Sequence, residues 1–365
     1  QENQYRCQGS RLTESGNGCR ARGADWVAVG TAANSPEAYP GYHDLPYYVT
    51  QATWSSPVSS RMQIDAGVSG FQYRFAGFGQ ALPDGLTDLI PVTEQSTIYG
   101  LANFSYRGLY DPAAHAFADN DAASVQWRAS TAYVTGSHNV KIGYLGSSLR
   151  QTSGRVANDS QLRYTFNNGV PVSFGYVLAR RWETTDRTMT TALFAQDQWT
   201  LGRLTLQGAV RYDHAWSWAP ADGNGTGTTS IFNPQPISFE RTVSVKGYHD
   251  ITPRMGVAYD LFGNGKTALK ANLGKYLQSA QVGGTYVVNN PAQKIVTRVT
   301  ARPWTDGNRN YQIDCSLSDP RLQDNLASGG DRCAALGGGN LNFGNPNPAL
   351  TTTDPALLEG WGVRG

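Results

Sequence analysis

Residues 203–213 read Arg-Leu-Thr-Leu-Gln-Gly-Ala-Val-Arg-Tyr-Asp, and apolar and polar side chains alternate along them with a period of two. In an extended strand, Leu204, Leu206, Val210 and Tyr212 share one face, and the residues between them share the other. About eleven residues of this pattern are enough for one tilted strand to cross the hydrocarbon core of a bilayer. The stretch therefore predicts a β-strand that separates an apolar from a polar environment.

The same alternation recurs along the chain. Further stretches that show it are residues 124–133, 139–144, 254–261 and 269–274. Short Gly-containing turns lie near residues 136, 201 and 264, whereas the connections over residues 213–242 and 301–350 are long and contain many Gly, Asn and Pro residues. Alternating tight and long connections are typical of outer-membrane barrels, which have short periplasmic turns and long extracellular loops. We therefore predict an all-β, antiparallel transmembrane β-barrel.

Composition agrees with a β-protein and excludes several other classes. The chain has 365 residues, of which 41 are Gly, 18 are Pro and 11% are aromatic, and this content excludes a helical bundle. Lys and Arg total 30 against 28 Asp and Glu, and this even balance argues against a dedicated nucleic-acid-binding protein. No stretch approaches the ~18–20 apolar residues of a transmembrane helix, but barrel strands alternate and need no such stretch.

The rest of the chain contains weaker candidate strands. They are Tyr48–Trp54, Arg61–Phe75, Ser96–Tyr106, Gln161–Phe166, Val172–Glu183 and Thr191–Trp199. Between Arg61 and Phe75 the parity of the apolar residues changes near Gly67 and Gly70, which predicts a β-bulge there. In all, the sequence predicts about eleven to thirteen strands.

The alternation also assigns side chains to faces. We expect the following residues to point outward to lipid: Leu204, Leu206, Val210, Met255, Val257, Leu269 and Leu273. We expect the following charged residues to point inward to the lumen: Arg211, Arg254, Asp260 and Lys270.

Three stretches carry a family resemblance. They are residues 194–213, which begin Phe-Ala-Gln-Asp-Gln-Trp-Thr-Leu-Gly-Arg, residues 252–276, which begin Thr-Pro-Arg-Met-Gly-Val-Ala-Tyr-Asp, and residues 136–144, Gly-Ser-His-Asn-Val-Lys-Ile-Gly-Tyr. In chain order they resemble the strand–turn–strand signatures of TonB-dependent outer-membrane receptors, most closely the Oar-like branch. The resemblance covers residues 123–276 and implies a barrel of about 22 strands with a plugged lumen in the bacterial cell outer membrane.

Relative to that family, residues 1–365 are expected to form a partial β-barrel domain, about half of the barrel. The energy-coupling box, the plug and the N-terminal domain of such receptors are not recognisable in the sequence, and residues 358–365 look like the start of another strand. We therefore expect a barrel fragment that is cut at both ends. Such a fragment is expected to form an open, curved sheet, because a barrel closes only when its first and last strands pair.

The resemblance also implies a function. Extracellular loops would capture an unknown ligand, the TonB energy-coupling complex would act through the missing N-terminal part, and the ligand would pass through the barrel. No bond is made or broken, so we expect a transporter rather than an enzyme. Its expected partners are outer-membrane lipid, the TonB complex and the extracellular ligand, without nucleic acid. Two alternatives stay open: a surface adhesion or assembly protein, and a soluble secreted β-domain that binds carbohydrate.

Aromatic residues in or beside the long connections are candidates for contact with that ligand. They are Trp216, Trp218, Trp304 and Tyr311. For Trp216 and Trp218 the alternative is the aromatic girdle that barrels form at both membrane faces.

Residues 306–314 have oxygen-bearing side chains at alternate positions: Asp306, Asn308, Asn310 and Asp314. The spacing is similar to that of a calcium loop, although Tyr311 and Leu317 stand where an EF-hand has Gly and Glu. Calcium is therefore a candidate metal, with an ordered Asx-rich loop as the alternative, and no other cofactor is expected. The five histidines are scattered without metal-binding spacing, which favours polar loop and interface roles.

The four cysteines form two local pairs, Cys7 with Cys19 and Cys315 with Cys333. Each pair brackets a segment of Gly, Asn and Ser residues, and cross-pairing would have to join opposite ends of the chain. The spacing predicts two loop-closing disulfides in an oxidising compartment. Four unpaired cysteines are the alternative.

Overall fold

The computed structural model describes residues 19–22, 25–28, 41–43, 47–78, 89–106, 117–223, 237–277, 290–336, 343, 345–346 and 359–361. Its strands, numbered in chain order, are β1 (Cys19–Arg22), β2 (Asp25–Ala28), β3 (Gly41–His43), β4 (Tyr48–Ser59), β5 (Met62–Phe78), β6 (Val92–Glu94), β7 (Phe104–Tyr106), β8 (Phe117–Thr135), β9 (His138–Val156), β10 (Leu162–Asn167), β11 (Val170–Val177), β12 (Arg181–Leu201), β13 (Leu204–Ala219), β14 (Asp222–Gly223), β15 (Ser238–Phe239), β16 (Thr242–Val243), β17 (Gly247–Asp260), β18 (Ala268–Gly274), β19 (Val299–Thr305), β20 (Gln323–Asp324), β21 (Arg332–Cys333) and β22 (Glu359–Trp361). The helical elements within these ranges are a short α-helix over Pro291–Lys294 and a 3₁₀ turn over Leu326–Ser328. No helix in these ranges is long and apolar enough to cross a membrane.

Seven long strands and the shorter β18 form one antiparallel sheet in the order β4-β5-β8-β9-β12-β13-β17-β18. Tight turns at residues 60–61, 136–137 and 202–203, and a longer turn at residues 261–267, join successive pairs at one end of the sheet. Gly136 and Gly202 have φ values of +59° and +56°, which a residue without a side chain adopts at little cost. The turns predicted near residues 136, 201 and 264 are therefore present.

The sheet is open in the part of the chain that the structure describes. The two strands at the ends of this order, β4 and β18, do not pair with each other there. This is the open, unclosed arrangement that the strand count predicted. Several strands exceed the ~9–11 residues needed to cross a bilayer, and β12 has 21 residues. The strands are therefore longer than one membrane crossing requires, and the additional length lies at the end opposite the tight turns.

A second sheet lies at that end, in the order β20-β21-β19-β11-β10-β6-β7. Its strands come from the β5–β8 connection, the β9–β12 connection and the chain after β18. Its core contains Val92, Tyr164, Phe174, Tyr176 and Trp304. The described parts of these connections thus form a folded layer with its own hydrophobic core.

This second sheet corrects several predictions. Candidate strand Gln161–Phe166 belongs to β10 of the second sheet, and candidate Val172–Glu183 is divided between β11 and the start of β12. Only the last three residues of candidate Ser96–Tyr106 form a strand, β7. Residues 301–350, predicted as a long polar connection, contribute most of β19 and all of β20 and β21. The apolar residues of these segments pack on each other, so period two alone did not distinguish them from membrane strands.

The predicted bulge at Gly67 and Gly70 is wrong. β5 pairs with β8 in continuous register from Met62 to Ala76, and the register shift lies instead between Pro57 and Ser59 in β4. The parity of the apolar residues changes because Phe71 and Tyr73 lie on the opposite face of β5 from Ile64 and Val68.

Candidate functional site

The main sheet has one apolar and one polar face. Val210, Met255 and Leu273 lie on the apolar face and are 48%, 57% and 70% exposed. The strand register places all seven residues predicted to face lipid on this side, and it places Arg211, Arg254, Asp260 and Lys270 on the other. A contiguous exposed apolar surface of this kind is a membrane-facing surface. We call the two sides the outward and the inward face.

Trp216 and Trp218, predicted to lie in or beside a long connection, lie within β13. They share the outward face with Val210, at the end away from the tight turns. Trp216 stacks on His214 with ring centroids 4.8 Å apart, and the guanidinium of Arg241 lies 5.3 Å from the Trp218 ring. Other outward aromatic residues, such as Trp199, lie near the tight turns. Aromatic residues thus lie at both ends of the outward face, as in an interfacial girdle, and ligand contact by Trp216 and Trp218 stays a prediction.

The inward face surrounds a cavity of about 640 Å³. One row of directly paired residues crosses seven strands and lines it: Thr53, Gly67, Arg128, Leu145, Ala192, Asp213 and Asp250. Because residues from β4 to β17 border one cavity, the sheet curls around it. These cavity residues, which strand register brings together, include several that the sequence analysis did not single out.

The two carboxylates in the cavity each lie beside a basic side chain. Arg211 donates from Nη2 to Oδ1 of Asp213 at 2.6 Å and from Nε to both carboxylate oxygens. The Oδ1 atom of Asp250 lies 3.9 Å from Nζ of Lys275. The rest of the lining mixes neutral polar side chains, among them Gln51, Gln126, Ser147 and Thr190, with apolar ones such as Leu145 and Leu149. The cavity is therefore a chamber of mixed polarity that can hold water or a solute.

Residues 290–296 cover the inward face of the outer end of β12. Asn290 donates from Nδ2 to Oδ1 of Asp186 at 3.0 Å, and Ala292 and Val296 pack in one cluster with Trp182. Beside them, burial raises the pKa of Asp222 above the usual range, although N–H groups of Gly223 and Thr185 donate to its carboxylate. Residues 290–296 therefore close off the inward face of the sheet at the end where the folded loops lie.

The two remaining aromatic candidates, Trp304 and Tyr311, differ in their exposure to solvent. Trp304 is only 3% exposed and donates from Nε1 to Oδ2 of Asp331 at 2.8 Å, so it is a core residue of the second sheet and not an exposed contact residue. Tyr311 is 52% exposed and packs against Phe166 with ring centroids 5.8 Å apart. Of the four predicted residues, Tyr311 alone offers a ring on the loop surface.

Cys315 and Cys333 form a disulfide with an S–S distance of 2.02 Å, the local pairing that their spacing predicts. Both cysteines are buried in the core of the second sheet. The other predicted disulfide, between Cys7 and Cys19, stays a prediction. Cys7 lies outside the described residues, and only the backbone of Cys19 is described.

Residues 306–314 form an Asx-rich loop, in which side-chain oxygens accept hydrogen bonds from backbone N–H groups of the same loop. The carboxylate of Asp306 accepts from the N–H groups of Asn310 and Tyr311, and Asn308 donates to Asp314 at 2.6 Å. The four candidate calcium ligands thus lie in one loop, and calcium binding stays a prediction. Within the described residues, no group of three or more His, Cys, Asp or Glu side chains could hold a metal ion.

His214 and His249 form a contact that the sequence analysis missed. They are directly opposite each other in β13 and β17, on the outward face. β13 continues to Ala219, into the segment 213–242 that was predicted as a loop. No local signal pairs the two histidines, because a long connection separates their strands.

The comparison with protein families agrees with this architecture. The model of the outer membrane beta barrel domain family matches residues 22–355. The chain belongs to this family. The domain therefore lies in the bacterial outer membrane, with its outward face against lipid, its tight turns at the periplasmic side and its folded loop layer at the extracellular side. A search of curated proteins found no match to the chain, and a search of solved structures found none.

Proposed function

We propose that this domain forms part of the wall of a TonB-dependent outer-membrane transporter that takes up an extracellular solute. The observation that carries the proposal is the cavity of about 640 Å³ on the inward face, next to the folded extracellular layer. Seven strands border this cavity with charged, polar and apolar side chains, which supports passage of a solute along the inward face. The resemblance of residues 123–276 to TonB-dependent receptors supports energy-coupled rather than passive passage.

In this proposal the extracellular layer captures the solute and the cavity receives it. Residues 290–296, which cover the outer end of β12, must then shift or leave a path beside them. The Arg211–Asp213 ion pair and the neutral polar residues of the cavity replace the hydration shell of the solute as it passes. The passage involves no chemical change, so the proposed role is transport and not catalysis.

Surface display is a second candidate, because the loops form a sheet with its own core and a disulfide. A folded extracellular layer of this kind can serve as an adhesive surface without uptake of a solute. The soluble carbohydrate-binding domain is not compatible with the exposed apolar face and the family assignment.

Depletion of solutes from the growth medium distinguishes these functions. We would compare cells that express the intact gene with a deletion strain and with a strain whose TonB complex is inactive. The proposal expects one or more solutes to be depleted by the intact strain and by neither of the others. Depletion that persists without the TonB complex would indicate a passive pore, and equal depletion in all three strains would favour display; either result would overturn the proposal.

A second arm tests the cavity itself. Arg211→Ala together with Asp213→Ala removes the ion pair from the inward face, and Asn272→Ala changes an exposed inward residue that does not line the cavity. The proposal expects the double variant to alter the rate of depletion and the control to leave it unchanged.

A further inference from the structure

An acidic side chain lies on the outward face, near the tight turns. Asp197 belongs to β12 and is directly opposite Val140 in β9 and Gly208 in β13, on the side of the sheet that faces lipid. Charged side chains on the lipid-facing surface of a barrel lower its stability. A carboxylate at this position therefore calls for a functional explanation.

Two neighbouring rings hold this carboxylate. Nδ1 of His138 lies 2.7 Å from Oδ2 of Asp197, and the imidazole stacks on Trp199 with ring centroids 5.2 Å apart. Trp199 donates from Nε1 to Oγ of Ser137 at 3.0 Å. His138 and Trp199 are direct partners in the row of residues nearer to the tight turns. The hydrogen bond thus draws the carboxylate toward the membrane surface, where lipid headgroups lie.

The ion pair is open to its surroundings. The side chains of His138 and Asp197 are 40% and 39% exposed. Oδ1 of Asp197 is enclosed and accepts no hydrogen bond within the described part of the chain, so Oδ2 is the oxygen that a molecule outside the protein reaches. A carboxylate oxygen has two lone pairs, and Oδ2 can accept a second hydrogen bond beside the one from His138.

A shallow groove of about 290 Å³ begins at Asp197 on the same face. Ala195 and Val210, which line it, are direct partners one row farther from the tight turns. A Cβ atom at Gly208 would meet nothing within 4 Å, so no side chain fills the groove there. The groove runs from the carboxylate toward the middle of the bilayer, which is the direction that an acyl chain takes from its headgroup. Because this face lies against lipid, an acyl chain is the occupant that the groove fits.

We propose that this site binds a phospholipid whose headgroup contains a primary amine, such as phosphatidylethanolamine. The ammonium group donates a hydrogen bond to Oδ2 of Asp197, and one acyl chain lies in the groove at Gly208. A primary ammonium has three N–H donors, whereas the quaternary ammonium of phosphatidylcholine has none, so the carboxylate distinguishes the two lipids. His138 acts as a positioning residue, because it directs the carboxylate toward the headgroups.

The lipid site is separate from the cavity of the inward face. Asp197, His138 and Gly208 are not among the residues that line that cavity. The proposal therefore stands or fails independently of solute uptake.

Fluorescence quenching by brominated lipids tests the proposal with the full chain folded in phosphatidylcholine vesicles. The vesicles contain equal mole fractions of phosphatidylethanolamine or phosphatidylcholine with brominated acyl chains, and the readout is the emission component that Trp199→Phe removes. The ratio of the two apparent binding constants should favour phosphatidylethanolamine by about two- to fivefold, the range of an exposed ion pair. Because both lipids are compared in the same variant, a change in the emission of Trp199 itself does not alter this ratio.

Substitutions of the ion pair test the headgroup contact. Asp197→Asn should bring the ratio to about one, since its neutral amide does not attract an ammonium group. His138→Asn should lower the ratio, and the double variant should match Asp197→Asn alone, because His138 acts only through the carboxylate. Asp65→Asn is the matched control, since it removes a carboxylate from the inward face of β5 and should leave the ratio unchanged.

Gly208→Leu tests the groove while it keeps both residues of the ion pair. The new side chain occupies the groove, so the ratio should fall toward one, whereas Ala271→Leu adds the same bulk to the outward face of β18 and should have no effect. A ratio of one in the unsubstituted chain would overturn the proposal, as would a preference for phosphatidylcholine. An equal decrease in Asp197→Asn and Asp65→Asn, or an unchanged ratio in Gly208→Leu, would overturn it too.

Discussion

Trp127 covers the backbone of Gly146 on the neighbouring strand. The two residues are direct partners in β8 and β9, and a Cβ atom added to Gly146 would overlap the indole ring. The glycine thus leaves the space in which a large aromatic side chain packs on the sheet. Gly143 and Phe194 repeat this relationship between β9 and β12.

The first prediction follows from that contact. Gly146→Ala should lower the free energy of unfolding by about 1–3 kcal/mol, because the indole of Trp127 has to move out of a packed position. Urea unfolding in lipid vesicles measures the change. Gly208→Ala is the control, since a Cβ atom there meets nothing within 4 Å, and equal losses in the two variants would contradict the explanation.

The second prediction concerns the two faces of the sheet. Val257→Arg should cost about 2–4 kcal/mol of unfolding free energy if the residue lies near the middle of the bilayer, because the guanidinium would face lipid. Asn272→Arg, on the inward face of β18, should cost much less, since that side chain can remain in water. Comparable costs in urea unfolding would contradict the assignment of faces.

The third prediction concerns the disulfide of the extracellular layer. Replacing both Cys315 and Cys333 by Ala should destabilise the second sheet by about 3 kcal/mol, because a cross-link between residues 18 positions apart restricts the unfolded chain. Proteolysis in increasing urea should show earlier cleavage within residues 290–336. The urea midpoint of the membrane-spanning sheet should stay unchanged, and a shift of both transitions together would argue that the layer does not unfold by itself.

The fourth prediction concerns pH. Burial by itself opposes ionisation of Glu94, but the side chain of Ser96 and the N–H groups of Ser96, Asn168 and Gly169 donate to its carboxylate and hold its pKa below the usual value of 4.5. A lowered folded pKa stabilises the second sheet at pH values above 4.5, and this contribution is lost as the pH falls through the folded pKa.

Glu94→Gln should therefore destabilise the second sheet by about 1–3 kcal/mol at neutral pH and reduce the loss of stability on acidification. Hydrogen exchange of Asn168 and Gly169 at several pH values measures both effects. Glu240→Gln, at an exposed position, is the control. An unchanged pH dependence in Glu94→Gln would show that another group is responsible.

Much of the membrane sheet could be predicted from local sequence. Residues 203–213 gave the correct faces because side chains in a strand alternate wherever that strand lies. The tight turns were predictable for a similar reason, because a turn involves only a few consecutive residues. Gly at positions 136 and 202 indicates the positive φ that such a turn requires. The same rule failed for Gln161–Phe166, where alternation reflects packing in a second sheet and not contact with lipid.

The candidate site was less predictable. Trp304 was expected to meet ligand, but it is buried because β19 pairs with β11 and places it against Tyr164 and Phe174. The pairing of Arg128, Asp213 and Asp250 in one row depends on the register of strands far apart in the chain. None of these relationships has a local signal.

The sequence by itself determined that this protein has alternating membrane strands joined by tight turns, because that pattern is set by the period of an extended backbone and by the polarity of lipid and water. Only the tertiary structure decided that the described parts of the long connections form a second sheet, that the inward face surrounds a cavity and that His214 faces His249. These features arise from strand register and from packing between distant segments, and register is fixed by the sum of many contacts along the strands, which no short stretch of residues specifies.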